Sequence, residues 1–76
     1  MSLLEKLSDE ARGALEEMAL DLALTELENE FPNCSQDRHL NDIVAAAIAS
    51  LVRFGQSDPR KLATYAAARG RAYVTQ

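Results

Sequence analysis

The apolar positions of this chain fall into three runs with helical spacing, separated by two short breaks. In the last run Leu62, Ala63, Ala66, Ala67, Gly70, Tyr73 and Val74 recur at three- and four-residue intervals. At roughly 100° per residue that places them on one face of a helix. In the middle run Leu40, Ile43, Val44, Ala47, Ile48, Leu51, Val52 and Phe54 form a broad apolar half, with Asp42, Ala45, Ala49 and Arg53 opposite. The first run is different. Leu4, Leu7, Ala11, Ala14, Leu15, Met18 and Leu22 make one stripe, and Leu20, Leu24, Leu27 and Phe31 make a second, roughly opposite. The alternation Leu20, Leu22, Leu24 is the one strand-like pattern, and its Glu-, Leu- and Ala-rich flanks favour helix.

The first break is Phe31-Pro32-Asn33-Cys34-Ser35. Proline disfavours helix in the residue before it and cannot itself continue one, and Ser35 or Asp37 can cap the next helix. The second is Gly55-Gln56-Ser57-Asp58-Pro59, in which Gly55 suits the left-handed position after a helix, Asp58 an N-cap and Pro59 a first turn. The pattern predicts helices from about Ser2 or Ser8 to Glu30, from about Gln36 to Phe54 and from about Pro59 to Val74, with Ser2 and Glu5 as a capping box. The expected fold is all-α. It is a single helical domain over residues 1–76, a long first helix followed by an α-hairpin of helices two and three.

Helix one sets the expectation about assembly. A three-helix monomer covers one apolar stripe well, and a helix apolar on two sides needs a second layer of protein. Leaving three leucines in water forfeits on the order of 5 kcal/mol of burial, comparable with the whole stability of a small domain. The reading is therefore a helical-bundle homodimer with helix one near the two-fold axis. A helix one bent or broken at Gly13 or Ser8 is the alternative, since it folds both stripes onto one core.

Composition supports the same picture. Thirteen alanines and eleven leucines against three glycines and two prolines favour helix throughout. A domain of 76 residues gains only a few kcal/mol from one core. Cys34, the single cysteine, closes no intrachain bridge, and no Cys/His cluster suggests zinc, so regular packing and self-association remain. A lone thiol fits a reducing compartment, and its place near a helix N-terminus favours the thiolate somewhat. Ser2 to Lys6 does not read as a leader, and the run Ile43 to Val52, broken only by Ser50, is too short to cross a bilayer. The expectation is a cytoplasmic protein without membrane contact.

Charge adds a dipole. Residues 1–30 carry nine acids and two bases, whereas residues 53–76 carry one acid and five bases. The basic segment supplies the candidate electrostatic contacts: Arg60, Lys61, Tyr65, Arg69 and Arg71. Lys61, Tyr65 and Arg69 are spaced by four and follow one edge of helix three; Arg60 and Arg71 share the other. Cations neutralise phosphates and a tyrosine ring stacks on a base. Against this, such bases also snorkel around a core, sit well at a helix C-terminus and pair with an acidic first helix. The acidic run Glu16, Glu17, Asp21, Glu26, Glu28 and Glu30 reads first as a solvated face and second as a dock for a basic partner.

No motif names a reaction. His39, the only histidine, has Asp42 three positions on but no Glu-x-x-His pair, so a metal site is not expected. There is no P-loop, no glycine-rich phosphate cradle and no serine–histidine–acid arrangement, so neither an enzyme nor a cofactor is expected. A helix-turn-helix is weakly signalled, because helix three offers base edges only Arg60 and Lys61 in its first turn and no Asn or Gln from Pro59 to Thr75. The leading expectation is a small helical protein–protein interaction module, homodimeric, acting as a regulator, inhibitor or adaptor of another protein. Its partner or dimer interface is assigned to Leu20, Leu24, Leu27 and Phe31. The alternative is a dimeric nucleic-acid-binding regulator using the basic third helix.

Overall fold

The computed structural model of the chain describes residues 9–76. Leu4, Leu7, the Ser2–Glu5 capping box and a break at Ser8 lie outside the described residues. Within them the chain forms three α-helices and no strand: α1 (Asp9–Glu30), α2 (Arg38–Arg53) and α3 (Pro59–Val74), with a 3-10 turn at Cys34–Gln36. Helix α1 runs unbroken through Gly13. The three helices close around one core, in which α3 packs about equally against α1 and α2 while those two touch each other less.

Alanine gives this core its character. Of the twelve buried apolar residues six are Ala19, Ala23, Ala47, Ala63, Ala66 and Ala67; the rest are Leu27, Leu40, Val44, Ile48, Val52 and Leu62. Small side chains let backbones approach, and Gly70 marks the closest approach. A Cβ there would lie 2.7 Å from Leu27 Cδ1 and 3.1 Å from both Leu40 Cδ1 and Val44 Cγ2. Side chains from α1 and α2 thus meet at one glycine of α3. The α3 stripe read from the sequence is the one buried, with Tyr73 and Val74 partly covered at its end.

The junctions are built from side-chain oxygens. Asp37 caps α2 by accepting from the His39 and Leu40 N–H groups at 2.9 and 3.3 Å, and Asp58 caps α3 by accepting from the Arg60 N–H at 2.9 Å. Gly55, with φ 98°, ends α2: its own N–H reaches the Val52 carbonyl and that of Gln56 reaches the Leu51 carbonyl, both at 3.0 Å. These two bonds satisfy carbonyls that the last helical turn leaves open. Two boundaries differ from the sequence reading. Helix α2 starts at Arg38 rather than Gln36, because Cys34–Gln36 tighten into the 3-10 turn. Phe54 is its C-cap and stands 86% exposed instead of joining the apolar half, since Leu51 and Val52 occupy the last core-facing positions.

Candidate functional site

Two surfaces stand out, one on each side of the bundle. The first is the outer side of α1. Its core-facing line is Ala19, Ala23 and Leu27, which starts between the two sequence stripes and meets the second at Leu27. Leu20, Leu24 and Phe31 pack partly against the core, and Leu15 does so from the other edge. Of the four residues assigned to an interface, Leu27 is therefore wholly inside this chain and the other three are half-covered by it. The residues left in water belong to the other stripe: Met18 is 56% and Leu22 43% exposed, with Ala11 and Ala14 exposed beside them. The alanine-lined face of α1 explains the outcome. It lets α2 and α3 come close, so their side chains reach around to the second stripe but not to the far side of the helix. Ala14, Glu17, Met18, Leu20, Asp21 and Leu24 line one shallow depression there, an apolar strip bordered by carboxylates.

The second surface is the basic side of α3, which divides in two. Arg71 faces α1, where its guanidinium takes Glu30 in a two-pronged pair (Nε to the two carboxylate oxygens at 3.0 and 3.2 Å, and one terminal nitrogen to Oε2) and lies 3.6 Å from Glu26. That hydrogen bonding, together with the cation's charge, holds the Glu30 carboxyl below its ordinary range. Arg60, Lys61, Tyr65 and Arg69 are exposed. Tyr65 and Arg69 line a groove against α2 together with Ile43, Ala46, Ala47 and Ser50. Lys61 lies one turn before Tyr65 on the same edge.

Sequence reasoning missed two polar constructions. The Glu28 carboxylate accepts from the N–H groups of Asn33 (2.6 Å) and Ser35 (3.0 Å), bracketing the α1–α2 connector, and the Cys34 thiol faces it at 3.8 Å. The two backbone N–H groups pull the Glu28 carboxyl below its ordinary range. Partial burial and that carboxylate push the Cys34 thiol up, which reverses the expected thiolate character at this position. At the other end Tyr73 donates its hydroxyl to Asp37 at 3.1 Å and stacks on His39, ring centroids 6.0 Å apart at 28°. The only advance signal was Asn33, a residue that tolerates the left-handed backbone it adopts here at φ 72°.

Among the described residues no three His, Cys, Asp or Glu side chains are grouped so as to hold a metal ion, and no helix is long and apolar enough to cross a membrane. No protein-family model, no curated protein and no solved structure matches the chain.

Proposed function

We propose that this chain is a small interaction module that self-associates through the outer side of α1 and acts on another protein as a regulator, inhibitor or adaptor. The observation that carries the reading is the pair Met18 and Leu22, one turn apart and open to water, beside a depression that exposes the edges of Leu20 and Leu24. A helix that buries one side in its own core and shows apolar side chains on the other is half of a helix–helix interface. The occupant that fits is a second copy. The core is thin, half of it alanine, with no disulfide among the described residues to reinforce it, and a domain of this size gains most from a second layer.

The association is modest. Covering the exposed halves of Met18 and Leu22 on both copies contributes on the order of 4 kcal/mol, and ordering two molecules costs at least about as much. The half-covered Leu20 and Leu24 edges supply the surplus. Both copies also present an acidic face, so like charges oppose their approach and added salt relieves the opposition. Sedimentation equilibrium at rising salt tests this reading: the dimer fraction rises with salt, whereas a fall with salt would remove it.

A further inference from the structure

The groove between α2 and α3 lies on the side of the bundle away from α1. Ile43, Ala46, Ala47 and Ser50 form its α2 wall, and Tyr65 and Arg69 its α3 wall. Phe54, the C-cap of α2, follows Ser50 by four residues and Lys61 precedes Tyr65 by one turn, which puts an exposed aromatic residue and an exposed cation between the groove lining and the turn that joins the helices. Phe54 is the most exposed large apolar side chain among the described residues, and Tyr65 is 46% exposed. No carboxylate lines this groove. Asp58 caps α3, Asp37 caps α2 and holds the Tyr73 hydroxyl, and exposed Asp42 precedes Ala46 by one turn.

We infer that this groove binds single-stranded nucleic acid, with Phe54 and Tyr65 as stacking platforms and Lys61 and Arg69 on phosphates. Along α3 the residues Lys61, Tyr65 and Arg69 advance in steps of about 6 Å. That spacing presents a splayed strand with cation, ring and cation in turn. A free ring face stacks only on a base that is not already stacked in a duplex, so the aromatic pair selects single strands. An acidic peptide would engage the two cations and leave both rings idle. The net charge of −4 does not oppose this. The acids of the α1 depression lie on the other side of a bundle 18 Å across, beyond a screening length of about 8–10 Å. Binding in this groove does not depend on self-association through α1.

The test is fluorescence anisotropy with a labelled twelve-nucleotide oligothymidylate, the same length of duplex DNA, and a polyglutamate peptide. The expected result is binding of the single strand at about 20 mM salt, weaker for duplex and peptide, with a log–log salt slope near −1.4 for two neutralised phosphates. Phe54→Ala and Tyr65→Ala, both at exposed positions, each weaken it between about fivefold and a hundredfold. Arg69→Gln weakens it, while Arg60→Gln, an equal loss of charge on the other edge of α3, leaves it nearly unchanged. Four results would each overturn the inference: no binding at low salt, tighter binding to polyglutamate or duplex, equal effects of Arg60→Gln and Arg69→Gln, or indifference to loss of both rings.

Discussion

Gly70 and Gly13 show how one residue type serves opposite ends in the same fold. At Gly70 three fully buried side chains crowd the space a Cβ would take, the nearest at 2.7 Å. At Gly13 nothing lies within 4 Å. Overpacking costs about 1–3 kcal/mol, against a helix-propensity gain of up to about 1 kcal/mol for alanine over glycine. Gly70→Ala is therefore expected to destabilise by about 1 kcal/mol net, and Gly13→Ala to stabilise by about 0.5–1 kcal/mol, both read from urea denaturation midpoints. Cys34 gives a second residue-level prediction. Its thiol is held protonated by partial burial and by Glu28, so a disulfide reagent at pH 8 should react more slowly than with the unfolded chain. Glu28→Gln should accelerate that reaction; an unchanged rate would show that the carboxylate has no hold on the thiol.

At the scale of elements, stability against acid belongs to the α1–α2 connector and to the seam between α1 and α3. Glu28, Asp37 and Glu30 have carboxyls held below their ordinary range, by backbone N–H groups at the first two and by Arg71 at the third. A depressed carboxyl contributes stability that is fully present above its unfolded pKa and lost as pH falls through its folded one. The melting midpoint should thus stay flat from neutrality down to the ordinary carboxylate range and drop below it, with a shallower drop in Glu28→Gln. Tyr73 works in the other direction: its pKa is raised by donation to Asp37, so its contribution holds below the usual tyrosine range and fades as pH climbs through the raised value. The helices themselves were legible in the sequence because proline, glycine and capping aspartate act locally: α3 starts and ends where Asp58, Pro59 and the apolar stripe place it. What was not legible depends on where helices meet. Periodicity ranks faces by how apolar they are, but the packed face of α1 is set by its alanines, because close approach rewards small residues over leucine. Phe54 shows the same limit, apolar by type yet one position past the last turn that can reach the core.

For the whole molecule, the charge dipole seen along the chain becomes a division between faces. Arg71 closes the α1–α3 seam on Glu30 and Glu26, which leaves Glu17 and Asp21 on the outer side of α1, and Lys61 and Arg69 on the far side of α3. Each outer surface keeps its own exposed apolar groups, Met18 and Leu22 on one and Phe54 and Tyr65 on the other. The proposed function rests on the first of these surfaces covering a second copy of itself. Sedimentation equilibrium of the chain and of the double variant Met18→Gln, Leu22→Gln is the sharpest check, carried up to about 1 mM, where a net association of about 4 kcal/mol left after the ordering cost is half complete. Self-association through α1 requires a dimer for the chain and a monomer of unchanged helix content for the variant. A chain that stays monomeric across that range, or a variant that pairs as well as its parent, is incompatible with it.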